Sequence, residues 1–209
     1  EMSTIDPGVT QAVAEKVRAA GVRMIDTPVC RSTAHAERAE LMFLGGGAEA
    51  DFQEALPVLK CSGDTFHYCG PSGMGITMKL VNNMMGQGIA VAICEALSLG
   101  VKAGLDRDLI VKIVLGTAAA SKFLEQAYCG KALKGDFEPG FALKHAHKDV
   151  GHALRAAARL GVPCPAASMA HMMQNIALTR GKGDWDHTAL ATVFEELAGV
   201  ALCDGNGKR

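Results

Sequence analysis

The sequence predicts an α/β segment of about 70 residues followed by an all-α domain built on one long helix. In the first part, helix-like stretches alternate with short apolar runs, and glycine clusters such as residues 45–47 separate them. After the turn at residues 70–73, residues 74–102 are rich in Ala, Leu, Met and Ile and contain no turn signal. Everything beyond residue 102 has helical periodicity.

The elements of the α/β part follow from apolar spacing and turn residues. Since helices alternate with strands, these elements resemble the closing units of a parallel or mixed sheet. The predicted elements are a helix over residues 9–20, a strand over 22–29, a short strand over 41–44, a helix over 51–60 and a strand over 65–68.

The second part is predicted to be entirely helical. Asp106 is an N-cap candidate for the helix after it, and Gly161 with Pro163 ends another. We therefore predict two domains, residues 1–72 and 73–209. The predicted helices cover residues 74–102, 109–115, 118–128, 144–160, 166–178 and 188–202.

Composition excludes several function classes. Apolar residues make up 49% and charged residues 21%, with a formal net charge of −1, which is typical of a globular protein and not of a disordered one. No basic cluster is present to bind nucleic acid or an anionic membrane. The seven cysteines form no C-x-x-C pair, which favours a reducing compartment and predicts a cytoplasmic protein. We also expect no signal peptide or lipidation site.

Lys79 is the first candidate for chemistry. It lies in an apolar run, and Asn83 follows four residues later, so both share one face of the long helix, next to Asn82. Burial favours the uncharged amine, so a half-buried lysine transfers a proton readily, as a general acid toward a carbonyl oxygen must. Spacing alone equally allows Lys79 to extend to solvent from the edge of the helix.

The second candidate is the segment Cys30, Arg31, Ser32 and Thr33, which follows a predicted strand. Ligands of open α/β sheets bind where strands end. The guanidinium of Arg31 could hold a carboxylate, sulfonate or phosphate through two parallel hydrogen bonds, and Ser32 and Thr33 add hydroxyls. A surface arginine in a turn is the alternative.

Two further patterns are weak. His145, Asp149 and His152 fall on one helix face, but Lys148 beside Asp149 opposes a divalent cation, so we predict no metal site. The glycines at 70, 73 and 75 reverse the order of G-x-G-x-x-G and do not follow a βαβ unit, so a phosphate site there is not predicted.

Taken together, four blocks of the chain resemble the β-hydroxyacid dehydrogenases, the family of 3-hydroxyisobutyrate dehydrogenase and tartronate semialdehyde reductase. The resemblance covers essentially all 209 residues. It implies a Rossmann-type NAD(P)-binding domain, of which residues 1–72 are the C-terminal part, and a helical substrate and oligomerisation domain over 73–209. The blocks are residues 2–7 (MSTIDP), 26–29 (DTPV), Gly73-x-Gly75-x-x-x-Lys79-x-x-Asn82-Asn83, and Lys148 with Asp149.

The resemblance implies the role of each residue. Lys79 is the catalytic acid and base, and Asn83 orients it and the substrate, next to Asn82. Thr4 and Lys148 lie against the nicotinamide of NAD or NADP. Residues 30–33 correspond to the loop that holds the acid group of the substrate.

The chain departs from the family pattern at two places. Where the family has Ser-Gly-Gly after Pro-Val, this chain has Cys30, Arg31, Ser32 and Thr33, which is similar to the sulfolactaldehyde reductase branch and favours a sulfonate. The family's G-x-G-x-x-G turn is not in the 209 residues, so we expect this chain alone to bind the cofactor poorly and to be inactive.

The expected activity is reduction of a three- or four-carbon aldehyde acid, preferably 3-sulfolactaldehyde, with methylmalonate, tartronate or succinic semialdehyde as alternatives. From another class, a non-catalytic helical dimerisation module fits the apolar long helix. In either case we expect a homodimer or homotetramer, because ten Met and an apolar helix leave surface for a partner chain.

Overall fold

The structure is a computed structural model that describes residues 1–205, and these residues form two compact units. The first unit consists of Glu1–Met84 with Gly151–Pro163. The second consists of Met85–Val150 and the chain from Cys164 onward. The domain boundary predicted after residue 72 stays a prediction.

The first unit contains a three-stranded mixed sheet with helices around it. The strand order is β1-β2-β3; β1 runs antiparallel to β2, and β2 runs parallel to β3. The predicted small sheet followed by helices is therefore confirmed, and its identity as part of a Rossmann domain stays a prediction. The elements are α1 (Pro7–Ala19), β1 (Val29–Cys30), α2 (Thr33–Glu37), β2 (Leu41–Gly46), α3 (Glu49–Leu59) and β3 (Gly63–Gly70).

The strand predicted over residues 22–29 is wrong over most of its length. Only Val29 and Cys30 form a strand, and Asp26 makes an isolated antiparallel bridge to Gly46. Pro28 has no N–H group to donate to a ladder, so regular pairing is interrupted there. Arg23 instead binds the carboxylates of Asp51 and Glu54 on α3.

Phe43 of β2 is at the centre of the first unit's core. It is fully buried beside Phe52 and Leu59 of α3. Its ring stacks on that of Phe66 from β3, with centroids 5.8 Å apart. Burying aromatic rings of this size contributes a large share of the stability of so small a sheet.

The first unit also includes the beginning of the long helix α4 (Met74–Lys102) and the end of α6 (Leu143–Leu160). Helix α4 has the bounds that the sequence predicts. In this unit Ile76 and Leu80 of α4 pack against Ala153 of α6.

Asp26 fixes the start of α4. Its carboxyl group is fully buried and accepts hydrogen bonds from the backbone N–H of Gly73 at 2.7 Å and of Ile76 at 3.0 Å. The first N–H groups of a helix have no partner within the helix, so a carboxylate there satisfies them and interacts favourably with the helix dipole. The approach needs glycine, since a Cβ on Gly46 would lie 2.6 Å from Asp26 Oδ1, and one on Gly75 would overlap the carbonyl oxygen of Leu44.

The second unit is helical, with a core that includes Tyr128, Leu143, Leu190 and Val193, all fully buried. The Leu143–Val150 part of α6 belongs to it. The remaining elements are the end of α4, α5 (Arg107–Leu115), a π-helix (Phe123–Cys129), a 3₁₀ turn (Ala132–Lys134), α7 (Pro165–Thr179), a second 3₁₀ turn (His187–Ala189) and α8 (Leu190–Ala198).

Two predicted helices of this unit are shorter than expected. In place of the helix predicted over 118–128 the structure has the π-helix Phe123–Cys129. Just before it, the Oγ of Ser121 accepts a hydrogen bond from the N–H of Leu124. The helix predicted over 188–202 ends at Ala198, because Gly199 adopts a left-handed conformation with φ of 61°.

Helix α4 is long and apolar enough, by length and composition, to cross a membrane. However, Ala90, Val91, Ile93, Cys94 and Leu97 of this helix belong to the core of the second unit. This packing supports the interpretation of α4 as the core helix of a folded domain.

Asp6 connects α1 to the last turn of α6 within the first unit. Both its oxygens accept hydrogen bonds from Arg159, at 2.8 and 3.0 Å. It also caps α1 by accepting from the N–H of Gly8. Partial burial raises the pKa of Asp6, but the bonds from Arg159 and Gly8 outweigh this effect, and the pKa lies below its ordinary value.

Replacing Asp26 tests whether its carboxylate anchors α4. In Asp26→Asn one oxygen becomes an amide NH₂ that cannot accept, so we expect a loss of about 2 kcal/mol or more in the free energy of unfolding. Asp106→Asn at the exposed start of α5 is the matched control. It should leave the stability nearly unchanged, since Asn caps a helix as well as Asp does. Urea unfolding of both variants is the measurement, and equal midpoints for the two variants would contradict the anchoring role.

The Asp6 contact predicts a pH dependence of stability. The folded-state pKa is below the ordinary value of 3.8, so the stabilisation is present above that value and is lost as the pH falls through the lowered pKa. Between about pH 6 and pH 3, wild-type protein should therefore lose more unfolding free energy than Asp6→Asn. Parallel stability curves for the two proteins would show that Asp6 does not contribute.

Candidate active site

Lys79 is on the second turn of the anchored helix α4, in the first unit. It is half-buried, and its Nζ lies 4.0 Å from the Sγ of Cys30 at the end of β1. The fold therefore brings together the two candidate segments, the start of α4 and the end of β1. An ammonium in this position faces the loop that follows β1.

Asn83, one turn after Lys79, is buried, with 9% of its surface exposed. Its Oδ1 accepts a hydrogen bond from Nδ2 of the exposed Asn82 at 3.1 Å. This bond fixes the direction of the Asn83 amide. The predicted polar stripe of Lys79 and Asn83 on one helix face thus has a defined orientation.

We call residues 30–33 the substrate loop. Cys30 is half-buried, and Arg31, Ser32 and Thr33 are exposed. Ser32 is the N-cap of the short helix α2, and its Oγ lies 2.8 Å from Nδ1 of His35. The side chain of Ser32 therefore already has a partner, on α2.

The guanidinium of Arg31 is not the free fork that the sequence predicts. It donates to Asp64 Oδ1 at 2.7 Å, to Thr65 Oγ1 at 2.9 Å and to the carbonyl oxygen of Glu40. These bonds use three of its five N–H donors, so the protein itself already holds the guanidinium in place. Its role as a substrate ligand stays a prediction.

The two predicted cofactor residues each have a defined environment. Thr4 is half-buried in the N-terminal segment, which is attached to the first unit by a bond from the N–H of Thr27 to the carbonyl of Glu1 at 2.7 Å. Lys148 is an exposed residue of α6 in the second unit, and its Nζ lies 3.2 Å from the buried carboxylate of Asp149. This contact limits the positions that the Lys148 ammonium can take.

The histidines of α6 do not form a metal site in the described part of the chain, where no group of three His, Cys, Asp or Glu side chains could hold an ion. His152 contacts Arg155 at 2.9 Å. His147 stacks on His171 with ring centroids 3.9 Å apart. Burial, with a smaller effect of His171, lowers the pKa of His147.

A buried polar cluster in the second unit is not indicated by any pattern in the sequence. Gln174 donates to Gln87 at 2.8 Å, and Gln87 lies 3.4 Å from Nδ1 of His187. The His187 ring contacts Phe123 and Phe141. Burial lowers the pKa of His187, although the Asp186 carboxylate opposes the change. No periodicity joins residues 87, 174 and 187, so only the fold reveals the cluster.

Sequence reasoning also missed the role of Asp26. The DTPV block contains it, but its hydrogen-bond donors are 47 and 50 residues further along the chain. The signal in the sequence was an acidic residue within the mostly apolar run of residues 22–29, followed later in the chain by a glycine-rich helix start.

Two family models match the chain. Residues 73–194 match the model described as the NAD-binding domain of NADP-dependent 3-hydroxyisobutyrate dehydrogenase. Residues 1–70 match the NAD-binding domain of 6-phosphogluconate dehydrogenase. Together they cover most of the sequence.

Curated relatives include 3-sulfolactaldehyde reductase of Escherichia coli, 38% identical over 200 residues, which covers 96% of this chain and 67% of the relative. The 2-(hydroxymethyl)glutarate dehydrogenase of Eubacterium barkeri is 33% identical, covering 98% and 68%. Mitochondrial 3-hydroxyisobutyrate dehydrogenase of Drosophila melanogaster is 33% identical, covering 94% and 62%. The chain thus spans about two thirds of the length of these relatives.

Solved structures agree. The 3-hydroxyisobutyrate dehydrogenase of Mycobacterium tuberculosis with L-serine is 27% identical with a TM-score of 0.82, covering 91% of this chain and 67% of that one. The Salmonella typhimurium 3-hydroxyisobutyrate dehydrogenase is also 27% identical, with a TM-score of 0.78, covering 92% and 67%. The four sequence blocks, the family models and these relatives agree, and the chain belongs to the β-hydroxyacid dehydrogenases, the NAD(P)-dependent oxidoreductase family that includes 3-hydroxyisobutyrate dehydrogenase.

Proposed function

We propose that this protein interconverts a small aldehyde acid and its hydroxy acid, using NAD or NADP, with Lys79 as proton donor and acceptor. The observation that carries the proposal is the half-buried Lys79 ammonium, 4.0 Å from the substrate loop at Cys30 Sγ and held on a helix whose first N–H groups bind Asp26. A substrate with its acid group at the loop has its carbonyl oxygen within reach of this ammonium.

In this proposal, each group of the chain has a separate role. Lys79 gives its proton to the carbonyl oxygen as the aldehyde is reduced and takes it back in the reverse direction. Asn83 is buried one turn further on, and its amide orients the ammonium and the substrate without neutralising the charge. The backbone N–H groups and hydroxyls of the substrate loop hold the acid group, together with Asn82.

The residues present suit the nicotinamide part of the cofactor. NAD(P), when bound, supplies or accepts the hydride. The Thr4 hydroxyl and the Lys148 ammonium are hydrogen-bond donors, as a carboxamide oxygen and ribose hydroxyls require. The buried Asp149 carboxylate at 3.2 Å holds the Lys148 ammonium.

Our preferred substrate is 3-sulfolactaldehyde. A sulfonate has three acceptor oxygens, which suits a loop rich in N–H and hydroxyl donors, and a relative 38% identical is named 3-sulfolactaldehyde reductase. The alternatives are 3-hydroxyisobutyrate, whose aldehyde is methylmalonate semialdehyde, and tartronate semialdehyde or succinic semialdehyde. We propose a cytoplasmic homodimer or homotetramer.

The candidate from another class is a non-catalytic helical dimerisation module. The exposed Val81, Met85 and Leu99 of α4 favour it, because they leave apolar surface for a partner. Titration of this chain and of the protein expressed in full from its gene with NADH and NADPH separates the two, since a dimerisation module binds neither cofactor in either form.

Lys79→Ala should lower turnover by about a hundredfold or more, the lower end of what general acid–base catalysis contributes. The measurement is NAD(P)H oxidation with 3-sulfolactaldehyde, using the protein expressed in full from its gene. Lys112→Ala on the exposed side of α5 is the control and should keep wild-type turnover. Turnover of Lys79→Ala within a few-fold of wild type would refute the proposed role.

The substrate preference is tested by comparing kcat/KM for the four aldehyde acids. One additional hydrogen bond to a charged group is worth about 1.5–3 kcal/mol, so 3-sulfolactaldehyde should exceed each carboxylate by about tenfold or more. Equal or higher kcat/KM for methylmalonate, tartronate or succinic semialdehyde would reject the sulfonate.

A further inference from the structure

We propose that Arg31 and Asp64 form a positioning pair that holds the substrate loop against the sheet beside Lys79. The proposal rests on the proposed function only for its kinetic consequences. Its structural consequence, a fixed position of Cys30, can be measured without activity.

The backbone of Arg31 is unusual for its residue type. Its φ is 78°, in the left-handed region, where a non-glycine residue is disfavoured by roughly 1–2 kcal/mol. A side chain here therefore needs interactions that offset the cost of the conformation.

The contacts of the guanidinium supply such interactions. Arg31 and Thr65 both donate to Asp64 Oδ1, each at 2.7 Å, and Arg31 also donates to Thr65 Oγ1 at 2.9 Å, which closes a three-residue network. The carbonyl oxygen of Glu40 is a further acceptor. Hydrogen bonds, first from Thr65 and then from Arg31, lower the pKa of Asp64, so the carboxylate is charged at neutral pH.

The network spans the sheet. Cys30 of β1 pairs with Met42 of β2, and Met42 pairs with Thr65 of β3. Arg31 follows Cys30 directly and reaches across this row to β3. Since β1 has only two residues and a strand so short pairs weakly, the Arg31 contacts stabilise its position on the sheet.

Cys30 and Arg31 contact different parts of the first unit. The thiol of Cys30 lies beside the Lys79 ammonium, whereas the guanidinium of Arg31 lies against Asp64 and Thr65. A guanidinium in this position determines where the loop N–H groups stand relative to Lys79. Removing either partner of the pair should therefore loosen the loop beside Lys79, whereas removing the second partner as well should add little.

This difference defines a double-mutant cycle of Arg31→Gly, Asp64→Asn and the combined variant. Glycine tolerates the left-handed conformation, so Arg31→Gly removes the fork without adding strain. The first readout is the rate at which iodoacetamide alkylates Cys30, followed by peptide mass spectrometry. The thiolate sulfur displaces iodide and becomes a thioether, and the exposed Cys61 is the internal reference.

We expect iodoacetamide to alkylate Cys30 about fivefold faster in each single variant than in wild type, as the loss of roughly 1 kcal/mol of loop stabilisation implies. The combined variant should be no faster than the faster single variant. Glu54→Gln, which breaks the exposed Arg23–Glu54 pair in the same unit, is the matched control and should leave the Cys30 rate unchanged. Unchanged rates in all variants, or effects that simply add, would overturn the positioning pair.

The kinetic readout uses the protein expressed in full from its gene, with 3-sulfolactaldehyde. A positioning pair predicts that Arg31→Gly and Asp64→Asn both raise KM about fivefold, with kcat within about twofold of wild type. A KM of Asp64→Asn equal to or below that of wild type would contradict the positioning pair. If no turnover is found with any protein, the proposed function fails, and the alkylation cycle still decides the positioning pair.

Discussion

The site depends on two hydrogen bonds that the buried carboxyl group of Asp26 accepts from the backbone N–H groups at the start of α4. These bonds fix where α4 begins, and with 100° of rotation per residue they also fix which face of the helix carries Lys79 and Asn83. Gly46 and Gly75 permit the approach, since a Cβ at either position would overlap this part of the structure. The anchor is therefore specified by three residues that are far apart in the sequence.

The same short segment also carries the substrate loop. Cys30 is four residues after Asp26, and its sulfur lies 4.0 Å from Lys79 Nζ, while Asp26 holds the start of the helix that carries Lys79. A rigid connection of this kind sets the distance between the loop at Cys30 and the Lys79 ammonium, which are themselves in contact. Preorganisation of this kind avoids the cost of assembling the site during each turnover.

The bounds of α4 could be predicted from its apolar run, and the shared helix face of Lys79 and Asn83 from their spacing, because each is a local pattern. The partners of Asp26 and Arg31 could not. Gly73 is 47 residues from Asp26 and Asp64 is 33 from Arg31, so no periodicity connects them. The sequence shows that Arg31 lies in a loop, where its guanidinium could bind any anion. Only the fold shows that the guanidinium binds the carboxylate of Asp64. The π-helix Phe123–Cys129 was missed because its residues have ordinary helical patterning.

The left-handed conformation of Arg31 illustrates how one residue can determine the shape of a loop. Glycine adopts this conformation without cost but has no side chain to hold the loop, whereas arginine is strained there and makes contacts to Asp64 and Thr65. Under the proposed function, selectivity would then depend on the shape in which the loop presents its N–H groups. A sulfonate and a carboxylate differ in the number and direction of their oxygens, so a loop held in one shape distinguishes them by geometry.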